Sequence, residues 1–560
     1  MILPVLTGLT IFFGTIFGLA WPIASRLPFT PAEKLCASGL LSLLLIYLFA
    51  FGVYTLGMPM VALWGLPVIA LVGLFTGCRS LAFTLLDPDA RTLLVGQLLV
   101  ASWCTCWLFF IVSYSGGGWV GDWFEHWERT RFFLERWQHE MKFIGTYALP
   151  ARPPLANLVT GAFLAVTRVS FAHFQLVTSL LNCLAFLPAA LLVRRFGGGR
   201  AAVAVLALLL MVNPSFVENT TFAWTKLLTV FFILSGLYFF LRTLDHDRPQ
   251  LAGPLCAAAL AGGILTHYSA VPFVLLLAVS WAVVHRRRWR ETVLPALIGA
   301  LLLATWFGWS LAIYGPHTTF FSNSTVTSWD PQNNHQLLVT ALNLRDTLVP
   351  HFLRTFDTSL IAQRSPWGWW RDWFFQLYQV NLLFIFGSVG WLVLGVELAR
   401  GWWHRRTGVN RWFWPLFAGG GILLGIAAHS GRDHWGLSHI CLQTILVLGL
   451  TFLAAHWSRL RSPWRFALIL GAMVDLVLGI ALQFGVQSYA LDLWLLPRRD
   501  PVDILTSYNK SAIHNLGDKI RDHLSFFPDD FTLKPALVLG LLAALLMLAV
   551  VRVRTPLPKQ

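Results

Sequence analysis

Stretches of about 18 or more predominantly apolar residues recur along this chain from one end to the other. Each is long enough to cross a hydrocarbon core roughly 30 Å thick. Inside such a core a backbone amide must be satisfied within its own segment, which a helix provides. Charge agrees: Asp, Glu, Lys and Arg make up 12% of the 560 residues, about half the share in a soluble protein. A secreted disulfide scaffold, a disordered chain and a soluble nucleic-acid binder are excluded, the last despite a formal charge of +15. The expected fold class is an all-α polytopic membrane protein.

Hydropathy places about 15 transmembrane helices, near 2–24, 35–56, 60–77, 92–113, 172–193, 201–216, 222–241, 250–266, 269–284, 292–314, 379–399, 412–430, 437–456, 466–487 and 535–551. Their connectors alternate between two sets. One is short and basic, as in Arg194, Arg195 and Arg200, in Arg286, Arg287, Arg288 and Arg290, in Arg400, Arg405, Arg406 and Arg411, and in Arg459, Arg461 and Arg465. It holds 23 Lys and Arg against 6 Asp and Glu. The other set, with its flanks, holds 18 against 18 and includes long segments near 114–171, 315–378 and 488–534. Two further acids, Glu397 and Asp475, fall inside spans. The positive-inside rule puts the short loops in the cytoplasm. The expected setting is the plasma (inner) membrane, with the N-terminus outside and the C-terminal RVRTPLPKQ inside. The basicity is thus a topological signal, and no nucleic-acid partner is expected.

The same parity decides an ambiguous stretch. Counting 155–169 (LANLVTGAFLAVTRV) as a crossing would carry Arg194 and Arg195 outside, so it reads as a helix in or dipping into the outer interface. The alternative is a true span paired with a missed one elsewhere. All seven cysteines lie in or beside spans, which leaves no extracytoplasmic disulfide framework. The first segment lacks a basic leader and a small-residue cleavage site, and reads as a retained helix.

Chemistry concentrates in the first outer loop, SYSGGGWVGDWFEHWERTRFFLERWQHEMKFIGTYALPARPPLANL. Gly116, Gly117 and Gly118 end one helix, and Asp122 is placed to cap the next. On that helix Trp123, Trp127, Thr130, Leu134 and Trp137 form a mostly apolar stripe, with Asp122, Glu125, His126 and Arg129 on a neighbouring face. Such a helix lies flat at the interface, its indoles at headgroup level. The pairs Glu125–Arg129 and Glu128–Arg131 would stabilise it, and Glu128, Glu135 and Glu140 read as no more than that. Asp122 and Glu125 differ: they follow a glycine turn at the mouth of a span, where a lipid headgroup arrives.

This order of span, glycine turn, carboxylates, PARPPL, basic turn and NPSFVENTTFAWTKLLTVFFILSGLYFFL resembles the GT-C superfamily of membrane glycosyltransferases. That superfamily holds the polyprenol-phosphate-sugar-dependent protein mannosyltransferases and the lipid A aminoarabinose transferases. The resemblance covers roughly 92–487 and is strongest over 113–245. It implies that Asp122 and Glu125 match the family's first-loop carboxylates, and Arg152, Pro153 and Pro154 its Pro-Pro motif. Two departures stand out. Four spans precede the loop where the family usually has one, leaving 1–91 unmatched. Lys226 stands where the family's second carboxylate usually opens a span, with Glu218 eight residues earlier. A paired-carboxylate metal site is therefore in doubt; no cofactor is expected, a divalent metal being conceivable without support. Lys226 would hold the donor phosphate as a point charge or else snorkel at the interface.

The implied activity is transfer of a hexosyl or pentosyl group from a polyprenyl-phosphate monosaccharide to a lipid, protein or polysaccharide acceptor outside the membrane. A carboxylate takes the acceptor proton, and cations stabilise the departing phosphate. Asp122 is the expected base, with Glu125 orienting it or exchanging roles. Arg152, Lys226 and Arg432 are the expected phosphate ligands. His126, Arg129, Glu218, His267 and His434 are expected at the substrate, without a metal ligand among them. His267 lies in LTHYSA at an outer turn, and His429, Arg432, Asp433, His434 and His439 crowd HSGRDHWGLSH. Asp475 lies mid-span, where an ionisable group is functional by default. The division expected is 1–91 extra spans, 92–314 catalytic module, 315–378 outer loop, 379–487 spans, 488–534 outer loop and 535–560 a last span with its tail. The rival reading is a transporter or flippase of lipid-linked saccharides. No internal repeat is found, and the polar clusters sit at the outer surface, which count against it. A non-enzymatic assembly partner would leave Asp122 and Glu125 idle.

Overall fold

A computed structural model describes residues 2–108, 120–143, 147–245, 247, 251–322, 335–350, 353–354, 377–400, 409, 412–429, 431–432 and 442–481, with backbone alone for 2–6 and 120–124. The described residues are helical, apart from turns and one isolated bridge between Phe143 and Tyr147. Among the described residues, seven helices are long and apolar enough to cross a membrane, or nine if each of two bent pairs is one span. The chain is a multi-pass membrane protein. The expected fifteen spans are not reached among the described residues. Ala252–Thr266, Gly390–Ala399 and Phe413–Ala427 are shorter apolar helices of 10–17 residues. Gly387, at φ +88, breaks the expected span 379–399. The last expected span, 535–551, lies outside the described residues. Side chains such as Leu71, Phe75, Phe83, Leu86, Val279 and Val283 stand more than half exposed, the outward apolar face a lipid-bathed bundle requires.

At the centre runs Lys226–Arg242, buried at every residue but the last. Its tightest neighbour is Ala252–Thr266. A Cβ on Gly236 would lie 2.5 Å from Leu260, and one on Gly262 would lie 2.5 Å from Phe232. Small residues let the two backbones approach where lipid supplies no hydrophobic drive between helices.

The N-terminal helix Pro31–Thr55 joins this core. Thr30 and Glu33 form a reciprocal capping box. The Glu33 carboxylate also accepts the Tyr238 hydroxyl at 2.7 Å and forms an ion pair with Arg242, whose Nε lies 2.6 Å away. At the other end of this helix, Arg136 donates to the carbonyls of Val53 (3.2 Å) and Met58, and Tyr54 Oη lies 3.2 Å from His139 Nε2. The segment outside the family resemblance therefore grips the far end of the first outer loop.

The ambiguous stretch forms a helix, Leu155–Val166, of 12 residues. At 1.5 Å per residue that is too short to cross a bilayer. Eleven of its residues are buried, and it packs between Pro31–Thr55, the loop helix Val120–Glu135 and Phe171–Cys183. Protein covers it on all sides, where an interfacial helix was expected to meet lipid.

Candidate active site

The loop helix begins at Val120, two residues before the expected cap. Asp122 falls in its first turn, and its side chain lies outside the described residues. The polar face turns inward: Glu125, His126, Arg129 and Thr130 are all buried. Trp127 is buried as well, against Phe171 and Phe174. The helix is therefore sandwiched in protein, not laid on the membrane with a wet carboxylate face.

Arg129 organises the site. Its Nε donates to Glu125 Oε1 at 2.7 Å, Nη1 to the Leu149 carbonyl at 2.7 Å and Nη2 to the Ala148 carbonyl at 3.1 Å. Its guanidinium lies 4.4 Å over the Phe143 ring. Its three nitrogens clamp the helix to the segment before the Pro-Pro motif. The expected Glu128–Arg131 pair is also replaced, since Arg131 forks onto Glu135 at 2.6 and 2.8 Å.

With Oε1 taken, Glu125 turns Oε2 toward Arg152, whose Nε lies 3.8 Å away. That oxygen accepts no hydrogen bond among the described residues. Burial pushes the Glu125 carboxyl up, but Arg129, Arg152 and His126 outweigh it and hold it below the ordinary range. Glu125 is ionised at neutral pH. His126, by contrast, is pushed down to about 4, by burial first and by Arg152 and Arg129 next, against the pull of Glu125. It is neutral, and its Nδ1 donates to Asn157 Oδ1 at 3.2 Å. His126 is thereby a buried support of the short helix.

Arg152 stands where the residue before a proline is held extended, at φ −132 and ψ 134. Its guanidinium lies 5.3 Å over the Tyr147 ring and lines a cavity of about 480 Å³. The walls are mostly apolar, from Ile264, Val271, Leu275, Phe307, Phe320 and Leu424, and the polar groups include Arg152, His267, Ser269 and His429. Tyr268 Oη donates to the Pro150 carbonyl at 2.9 Å, tying this wall to the Arg152 turn. His267 Nδ1 accepts the Ser269 amide at 3.1 Å and faces the Ser269 hydroxyl at 2.8 Å. A ring nitrogen accepting an amide carries no proton, so the imidazole proton sits on Nε2.

Lys226, Glu218 and Arg432 are not among this cavity's lining residues. Lys226 opens the central helix, 5% exposed, its Nζ 4.2 Å over the Trp224 ring. Glu218 is fully buried on Pro214–Thr221, and neither carboxyl oxygen is hydrogen-bonded among the described residues. Asn182 pins this turn by donating to the Asn219 and Trp224 carbonyls and accepting the Leu228 amide. Arg432 pairs with Asp346 at 3.5 Å. His434 lies outside the described residues. Among those described, no three His, Cys, Asp or Glu side chains converge as a metal site would need. Sequence reasoning missed Asn157, Asn182 and Asp346. A polar residue inside an apolar run, as in SLLNCLAF, was the available signal for Asn182.

Residues 151–309 match the dolichyl-phosphate-mannose-protein mannosyltransferase family. No curated protein matches the chain. Two similar solved structures are the crystal structures of ArnT from Cupriavidus metallidurans. The one bound to undecaprenyl phosphate has a TM-score of 0.43 at 14% identity, covering 78% of this chain and 77% of that one. The apo form has 0.44 at 16%, covering 76% and 75%. The family match contains Arg152, Asn157, Glu218, Lys226 and the His267–Ser269 turn. Over residues 151–309, then, the chain is similar to that mannosyltransferase family.

Proposed function

We propose that this chain is a glycosyltransferase that takes its sugar from a polyprenyl-phosphate monosaccharide and passes it to an acceptor hydroxyl on the extracytoplasmic side, with inversion in one displacement. The observation that carries the reading is the position of Arg152, which lines a largely apolar cavity and stands 3.8 Å from an ionised, buried carboxylate. A cavity of that composition suits a phosphate with a hydrocarbon tail. In the step, the acceptor oxygen bonds to the anomeric carbon as the bond from that carbon to the phosphate oxygen breaks. The electron pair leaves with the phosphate. The acceptor proton goes to a carboxylate, Asp122 or Glu125, whichever the acceptor approaches. Arg152 meets the growing phosphate charge, and His267 offers its Nε2 proton to a phosphate oxygen. With a guanidinium in that role, EDTA is expected to leave transfer unchanged.

The test is transfer from a labelled polyprenyl-phosphate sugar by the full chain in proteoliposomes. Product with the inverted anomer supports the reading, and an Asp122→Asn, Glu125→Gln double variant with full activity overturns the catalytic assignment. The bend of 72° between Arg200–Val212 and Pro214–Thr221, beside buried Glu218, is the feature a transporter of lipid-linked saccharides would use. Translocation of the labelled lipid without transfer would select that reading.

A further inference from the structure

Beyond the cavity, three guanidiniums converge on one buried carboxylate. Asp346 ends up fully buried near the close of the helix Gln336–Leu348, and its Oδ1 takes Arg345 at 2.6 Å and Arg354 at 3.0 Å. Arg432 Nε lies 3.5 Å from Oδ2. That oxygen accepts no hydrogen bond among the described residues, so Arg432 faces Asp346 as a charge without donating to it. Arg345 and Arg432 find no other carboxylate among the described residues, and they are 49% and 34% exposed. Among the described residues, Asp346 is the carboxylate that the two accessible guanidiniums of Arg345 and Arg432 share. Burial first, and then Arg345 and Arg432, push the Arg354 guanidinium down against the pull of Asp346. Such a cluster is held in shape by its buried acid and keeps positive charge to spare for an anion.

The cluster is joined to the donor cavity by a short stretch of backbone. Leu424, Gly425, Ala428 and His429 line the cavity. Gln336 Nε2 donates to the carbonyls of Ala427 at 3.0 Å and His429 at 2.9 Å, and Asn343 Nδ2 to that of Gly431 at 2.9 Å. Arg432 follows directly. The cavity wall and the arginine cluster are therefore two ends of one hydrogen-bonded strap.

We propose that Arg345 and Arg432, supported by Arg354 on Asp346, form a second anion site that receives a phosphate or carboxylate of the acceptor while the donor occupies the cavity. This rests on the donor reading above and reassigns Arg432 from the donor's phosphate to the acceptor. The acceptor class is then an anionic molecule whose reacting hydroxyl lies within reach of both its own charge and the sugar.

Envelope material from a strain lacking the chain, split by anion exchange and by organic extraction, serves as acceptor for the reconstituted full chain with labelled donor. The label is expected in the retained, anionic fraction, and the organic or aqueous phase then tells whether a lipid or a water-soluble molecule carries it. An Arg345→Ala, Arg432→Ala double variant is expected to need about tenfold or more acceptor for half-maximal rate, as loss of charged hydrogen bonds implies. Binding of polyprenyl phosphate stays within about twofold. Lys replacements keep the charge and lose the fork, so they recover part of the loss. Sodium tripolyphosphate is expected to inhibit the wild-type chain competitively with the acceptor and not with the donor, a readout that needs no variant. Label in the unretained fraction, an unaltered acceptor dependence, or tripolyphosphate acting against the donor overturns the inference alone. A wild-type chain that neither binds polyprenyl phosphate nor transfers sugar overturns the donor reading and this one together.

Discussion

Glu125 and Arg152 face each other across 3.8 Å, with the Glu125 oxygen on that side hydrogen-bonded to nothing described and the other oxygen fully engaged by Arg129. The arrangement splits one carboxylate into a held half and an available half. The held half keeps the side chain in place, and the available half carries the charge toward the cavity.

Glu125→Gln keeps the shape and removes the charge. Transfer in proteoliposomes is expected to fall by about 10²- to 10⁴-fold if Glu125 takes the acceptor proton. Polyprenyl phosphate binding is expected to hold or tighten, because Arg152 loses its competing anion. Equal losses in both would assign Glu125 to donor binding.

Arg129→Ala leaves an uncompensated buried carboxylate and two unpaired carbonyls, those of Ala148 and Leu149. Removing one partner of a buried pair costs about 3–5 kcal/mol, measurable by thermal unfolding in detergent. Arg129→Lys is expected to rescue little, since one ammonium cannot reach three acceptors with the geometry of the fork.

Acid should loosen the loop in a defined window. The His126 pKa drops from 6.5 to about 4 on folding, so the unfolded loop binds the proton more readily. The stabilisation is present above pH 6.5 and fades as pH falls toward 4, costing on the order of 2 kcal/mol at pH 5. Glu125, also lowered, adds its loss below its ordinary value of 4.5. Hydrogen exchange across 125–143, corrected for intrinsic rate, should show protection falling between pH 7 and 5. His126→Gln should abolish that part of the fall.

Arg136 ties the loop to the N-terminal helix through the carbonyls of Val53 and Met58, from a left-handed backbone at φ 53. Arg136→Ala is expected to raise exchange over 131–143 and lower turnover several-fold, roughly the loss of one or two charged hydrogen bonds. Polyprenyl phosphate binding should not change. Arg136→Lys restoring turnover would mark the tether as the cause.

Much of the fold was legible because long apolar runs have few alternatives. The number of crossings was harder to read: Gly387 and the bend after Val212 cut runs that hydropathy sees as continuous. The loop helix shows why a site is harder still. Its periodicity marked Glu125, His126 and Arg129 as one face, but an amphipathic pattern does not say whether the polar side meets water or buried carbonyls. Here it meets the carbonyls of Ala148 and Leu149, acceptors that every sequence possesses and none advertises. Arg432 illustrates the other limit. Its basic character was plain, and its partner Asp346 lies in a different segment, reachable only through the tertiary strap.

The central claim is that the cavity headed by Arg152 holds the donor's lipid phosphate, and direct binding of polyprenyl phosphate to the full chain in nanodiscs tests it most closely. Wild type should bind, Arg152→Ala should weaken binding by about tenfold or more, and Leu275→Trp, which fills the apolar wall, should weaken it without touching any charge. Unchanged affinity in both variants would contradict the account.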